Sequence, residues 1–393
     1  MKTIAKGCAA AVLAGGLALG TAGTAAQAEE FKIGILLPFS GVYAGLGDHI
    51  EKGFQLGMEH YGEMLGDNTI TLFREDTEAK PAIGLAKARK LVLQDRVDAM
   101  VGIVSSAVLG AVRDFAEGSK VPIIVANAGN NDMTGERCSP YIMRVSFSNA
   151  QMNRPMGDYM ADKGIKRVHV MAPDYAAGHQ MMNAFRETFE AKGGEIVGET
   201  FTPLHGTKDY APFISAAQAN NPDAIYVFYA GGAAIAFVKQ YHDFGVKEDI
   251  PLYGAGFLTS PAYVQVQGEA ADGITVGLHY VPSIDTPENK RFQDAYQAAH
   301  GRTGSEFAVA GYDAARLVIE AIAKSGGDKE AFDKALGSIS FDGPRGPLRL
   351  DPATNNVVQN IYIFENQFKD GQVEQVVLDT IPNVQDAPNG CSL

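Results

Sequence analysis

The chain has 393 residues and a formal net charge of −13 at neutral pH. A balance this acidic repels nucleic acid and anionic lipid surfaces, so neither is an expected partner. The length suits two domains of ordinary size, each able to bury its own core.

Lys2 and Lys6 form a basic start, Cys8 to about Ala22 an apolar stretch rich in Ala, Leu and Gly, and Ala26-Gln27-Ala28 an A-x-A cleavage site. Residues 1–28 thus have the layout of a secretory signal peptide, with the mature chain beginning at Glu29 and the periplasm as its compartment. The apolar stretch is short and rich in small residues for a membrane anchor. Cys8 stands at its start, whereas a lipoprotein's cysteine would follow it. No later stretch reaches the apolar length of a membrane span. After cleavage Cys138 and Cys391 remain. They are expected to pair in an oxidising compartment, on the sole ground that no third cysteine is left.

The mature chain alternates short apolar runs with helical patterns. Phe31–Leu37, Thr69–Arg74, Ala99–Val104 and Val121–Val125 have strand character, and the segments His49–Tyr61, Ala82–Leu93 and Ser106–Glu117 between them have helical spacing. The beat resumes after Asn149, with strands at Arg167–Met171, Glu195–Phe201, Ala224–Tyr229 and Ile250–Gly254. Alternation of this kind predicts βαβ units, parallel sheets and helices on both faces, an α/β fold. Beyond a strand at Thr275–Val281 come helices at about Pro287–Ala299, Glu306–Ser325 and Lys329–Leu336. A break follows at Gly343-Pro344-Arg345-Gly346-Pro347, then a hairpin turning at Lys369-Asp370-Gly371.

Catalytic and metal motifs are missing: no H-E-x-x-H, C-x-x-C, G-x-S-x-G or phosphate-binding loop occurs. His205, His242 and His279 are scattered and predict no metal site. Gly41 and Gly45 do not match a dinucleotide fingerprint, so neither cofactor nor enzymatic activity is expected. In open α/β sheets ligands sit at the carboxyl ends of strands. The residues there are Ser40–Tyr43, Ser105 and Ser106, Asn127–Asn130, Tyr175 and Ala176, Ala230–Gly232, and Gly256–Thr259. Free backbone N–H groups and hydroxyls at helix starts make a seat for a carboxylate. Ser105 and Ser106 also suit plain capping of the helix they open.

Several segments resemble the periplasmic leucine/isoleucine/valine-binding proteins. They are IGILLPFSGVYAGLGDHIEKGFQLG from Ile33, VGIVSSAVLGAV from Val101, PIIVANAGNNDMTG from Pro122, APDYAAGHQ from Ala172, GTKDYAPFI from Gly206 and FAVAGYDAARL from Phe307. They fall in the family's order across almost the whole mature chain. The resemblance implies a type I periplasmic-binding fold, with two Rossmann-like lobes joined by a hinge that the chain crosses near residues 147, 280 and 345. Lobe 1 is expected at 29–147 plus 281–345, lobe 2 at 148–280 plus 346–380, and a C-terminal tail at 381–393. It further implies a monomer that hands its ligand to the permease subunits of an ABC importer. The carboxylate seat carries over to Ser106 and Ala128–Asn130, the aromatic lid to Tyr175, the cross-lobe phenylalanine to Phe307 and the first-loop aromatic to Tyr43. Ser105, Asn127, Gly231 and Thr259 complete the expected ligand set, with Phe257 as an aromatic wall.

One position departs from the family. Its amino-acid binders carry a glutamate near the place of Ala255, pairing with the ligand ammonium, and no acid follows here until Glu269. An ammonium desolvated without a counter-charge is costly. Ala230-Gly231-Gly232-Ala233 is small where amino-acid binders often carry bulk, and Phe257 adds an aromatic wall, so the chain resembles the branch of the family associated with small aromatic carboxylates. The alternatives are a branched-chain or aliphatic amino-acid or amide binder, for which Glu306 is a candidate acid, and a ligand-sensing subunit of a membrane sensor. A transcription regulator of this fold would need a DNA-binding headpiece where the leader stands.

Overall fold

In a computed structural model, residues 28–393 are described; the cleavage signal and apolar leader lie outside them except for Ala28. The first lobe is built on β1 (Glu30–Leu37), α1 (Ala44–Tyr61), β2 (Thr69–Asp76), α2 (Pro81–Lys90), β3 (Ala99–Gly102), α3 (Ser106–Ser119), β4 (Ile123–Val125) and β5 (Ile142–Arg144). Its five strands are parallel, in the order β2-β1-β3-β4-β5. Every residue of β3, β4 and β5 is buried, because helices cover both faces. The edge strand β2 keeps polar residues and much exposure.

The second lobe repeats the plan. It contains α4 (Asn149–Asp162), β6 (Arg167–Pro173), α5 (Ala176–Ala191), β7 (Glu195–Thr202), α6 (Ala211–Gln218), β8 (Ala224–Val227), α7 (Gly232–Asp243), β9 (Leu252–Ala255), the short α8 (Val264–Gln267) and β10 (Thr275–Leu278). The order β10-β9-β8-β6-β7 is parallel throughout. The chain then returns through α9 (Pro287–His300), α10 (Glu306–Ser325) and α11 (Lys329–Leu336). These pack on the first lobe: α10 lies along α1, Phe332 of α11 meets Phe31 of β1 at 5.3 Å, and Phe292 and Tyr296 of α9 share a core with Leu56 and Tyr312. Strands β11 (Ser340–Gly343), β12 (Gly346–Leu350), β13 (Val357–Lys369) and β14 (Gln372–Val384) complete the second sheet in antiparallel fashion.

Three details differ from the sequence reading. The stretch 343–347 is not a plain break but the tight connection between β11 and β12. Strand β5 had no sequence counterpart, because three residues ending in an arginine carry no period. The last segment is not a free tail from 381. Strand β14 runs to Val384, Asp386 is buried, and Cys391 is disulfide-bonded to Cys138, with 5.5 Å between the α-carbons. The C-terminal segment thus ties the last strand of one lobe to the β4–β5 connection of the other.

Buried polar groups pin the lobes together where they meet. Arg345, in the tight β11–β12 connection of the second sheet, is fully buried and pairs with Asp313 of α10 at 2.6 Å. It also donates to the Ser146 carbonyl on the first crossing at 3.2 Å and to Gln359 Oε1 at 2.9 Å. His279, at the end of β10, stacks on Phe147 with 5.3 Å between ring centres.

Candidate functional site

A narrow cavity lies between the lobes. The first lobe contributes Tyr43, Leu46, Val104, Ser106, Asn127, Gly129 and Phe307; the first crossing contributes Phe147 and Asn149; the second lobe contributes Tyr175, Ala177, Met181, Phe228, Ala230 and Phe257. Among the described residues no charged side chain lines it.

The polar end is on the first lobe. Ser106 opens α3, and its hydroxyl accepts from Asn149 Nδ2 at 3.3 Å, which leaves its own proton free to donate. Ser105 is the residue before the helix, but its side chain makes no capping bond and its buried Oγ has no partner among the described residues. Gly129 faces the cavity, and a side chain there would meet Asn149 Oδ1 at 2.3 Å and the Phe147 ring at 2.5 Å. Only a residue without Cβ lets backbone reach the cleft at this point. Asn149 Oδ1 is itself buried without a hydrogen-bond partner.

The apolar end is aromatic. Phe257 and Phe307 stack across the lobes at 5.7 Å, Phe147 meets Phe257 at 5.1 Å, and Phe228 stands edge-on to Phe257 at 6.1 Å. Tyr43 and Tyr175 close the cleft from opposite lobes, their hydroxyls 3.1 Å apart. Burial pushes the Tyr43 phenol up to about 12, so both remain neutral hydrogen-bonding groups.

Five expected ligand residues are placed elsewhere. Ser105 is buried beneath the seat and does not line the cavity. Ala128 spends its N–H on the Ile103 carbonyl at 2.9 Å. The Asn130 carboxamide is engaged by Ser106 O, Asp132 N and Gln180 Nε2, so it shapes the loop from behind. Gly231 adopts φ +59° and donates its N–H to Tyr263 Oη at 3.0 Å; a Cβ there would lie 3.3 Å from the Val42 carbonyl across the cleft. Thr259 turns away to accept from Asn366 Nδ2 at 2.9 Å. The remaining seven, Tyr43, Ser106, Asn127, Gly129, Tyr175, Phe257 and Phe307, line one cavity.

Ala255 is fully buried at the end of β9, outside the cavity lining. Glu306 is buried beside Phe307, and burial pushes its carboxyl up to about 8, offset only in part by the Ser260 hydroxyl. At neutral pH it is a neutral acid, not a ready counter-charge for an ammonium. Among the described residues no metal-holding group of His, Cys, Asp or Glu occurs, and no helix is long and apolar enough to cross a membrane.

Residues 30–372 match the periplasmic binding protein family. A Leu/Ile/Val-binding protein homologue of Brucella melitensis is 32% identical over 88% of this chain and 89% of its own length. Among solved structures, an ABC-transporter solute-binding protein of Rhodopseudomonas palustris in complex with benzoate superposes with a TM-score of 0.87 at 35% identity, covering 93% of this chain and all of that one. A second solute-binding protein, from R. palustris BisB5 in complex with 3,4-dihydroxybenzoic acid, gives a TM-score of 0.86 at 34% identity, covering 91% of this chain and 98% of that one. With the fold, the cleft and this coverage in agreement, the chain belongs to the periplasmic binding protein family.

Proposed function

We propose that this protein is the periplasmic receptor of an ABC importer and captures a small aromatic carboxylate between two closing lobes. The observation that carries the reading is the cavity's make-up: a hydroxyl and backbone seat at one end, stacked aromatic rings at the other, and no acid in the lining. A carboxylate fits the donors of Ser106 and Gly129, while an ammonium would enter without a counter-ion. The benzoate and dihydroxybenzoate complexes of the similar structures support the same ligand class. On this reading the moving bodies are 29–147 with 281–339 and 148–280 with 340–384, hinged near 147, 280 and 340, since β11 already pairs within the second sheet and the third crossing falls before it, not near 345. Export through cleavage after Ala28 and delivery to permease subunits belong to the same proposal.

Calorimetric titration of the purified mature chain tests it. Benzoate or a hydroxybenzoate is expected to bind well below millimolar concentration, and leucine and valine are not. Binding of leucine or valine, with none of the aromatic acids, overturns it.

A further inference from the structure

The cavity raises an electrostatic question, since an anion is to be held where no cation lines the wall. One layer behind the seat lies Arg144, the last residue of β5, with no exposed surface. Its guanidinium donates to the Asn130 carbonyl at 3.0 Å, the Phe147 carbonyl at 3.1 Å and Thr134 Oγ1 at 3.2 Å. These bonds hold both flanks of the seat, the loop that presents Gly129 and the crossing that presents Phe147 and Asn149. Its Nε has no partner among the described residues.

Burying a guanidinium is costly unless an anion repays it. Among the described residues a second fully buried guanidinium shows the ordinary solution, Arg345 paired directly with Asp313 at 2.6 Å. No carboxylate among the described residues comes within salt-bridge distance of Arg144. The acid whose charge it feels is Asp386. That carboxylate is bonded to Asn356 Nδ2 at 3.0 Å, lies 3.8 Å from Arg154, and is itself pushed towards the neutral form by burial. Burial pulls Arg144 down only to about 10, so it stays cationic at neutral pH.

We propose that Arg144 is a positioning residue of the carboxylate seat and the concealed counter-charge of its ligand: its three carbonyl and hydroxyl bonds fix the 127–130 loop against the first crossing, and its unneutralised charge favours an anion in the cleft. The inference rests on the aromatic-carboxylate reading. It extends that reading by predicting charge selectivity, a preference for the carboxylate over a neutral ligand of the same shape.

The test compares benzoate with benzamide by calorimetry on the full mature chain. Wild type is expected to favour benzoate, and Arg144→Gln to weaken benzoate by about tenfold or more while leaving benzamide within about threefold. Asp386→Asn removes the competing negative charge and is expected to widen the benzoate preference; it also serves if Arg144→Gln fails to fold. Parallel loss of both ligands in Arg144→Gln, or an unchanged preference in Asp386→Asn, overturns the inference while leaving the ligand class standing. A wild type that takes benzamide as well as benzoate overturns it too. A wild type that binds no aromatic acid defeats the ligand class first, and this inference with it.

Discussion

At the scale of single residues, Ser106 carries the clearest consequence. Its hydroxyl accepts from Asn149 and keeps its own proton to donate to an anion, and hydrogen bonds to charged groups are worth about 1.5–3 kcal/mol. Ser106→Ala is therefore expected to weaken carboxylate binding by about ten- to a hundredfold, read by calorimetry; a change within error would remove Ser106 from the seat. Glu306 makes a different prediction. Its carboxyl is raised from 4.5 to about 8 in the fold, so the folded state keeps a proton that the unfolded chain gives up. The stability it contributes is full below about pH 4.5 and drains as pH climbs towards 8. Glu306→Gln should flatten that part of the pH profile and raise the melting temperature at pH 8 by on the order of 5 °C, with little gain at pH 4.5. An equal shift at both pH values would show that the carboxyl is not desolvated.

At the scale of elements, what was legible and what was not have the same cause. The after-strand rule found Ser106, Asn127, Gly129, Tyr175 and Phe257 because the strands before them are apolar runs of recognisable length. It missed Phe147 and Asn149 because β5 is too short to announce itself, and with it went Arg144. It missed Phe228 because the apolar run continues past Val227, the last residue of β8, so a cavity residue was counted as strand. Leu46 was lost likewise, since α1 begins at Ala44, five residues before its helical spacing becomes plain. The helices α10 and α11 were legible to the residue, each opened by a capping Ser305 or Asp328 and closed at a glycine. The pairing between α10 and the β11–β12 connection was invisible, because Asp313 and Arg345 look like any charged residues until burial is known. Asp313→Ala strands the Arg345 guanidinium and is expected to cost about 3–5 kcal/mol in chemical denaturation; a loss below about 1 kcal/mol would mean that the ion pair is not what holds this connection against α10.

At the scale of the whole molecule, the arrangement is two similar α/β bodies whose facing loops make one polar rim and one aromatic floor. Ligand specificity then belongs to neither body alone. Tyr43 with Tyr175, and Phe257 with Phe307, are half-sites that exist as pairs only when the lobes meet. The bond between Cys138 and Cys391 adds a topological consequence. It closes 253 residues of sequence separation into a covalent ring that contains the entire second lobe. A cut anywhere in that ring opens it without dividing the molecule. If a protease site is placed in the exposed turn at Gly206, between β7 and α6, the cleaved protein should still migrate as one species on a denaturing gel and fall into two only with reductant. Two bands without reductant would show an open chain. The native protein should therefore tolerate nicking in the second lobe yet fragment readily once reduced, so its durability depends on the redox state of its surroundings.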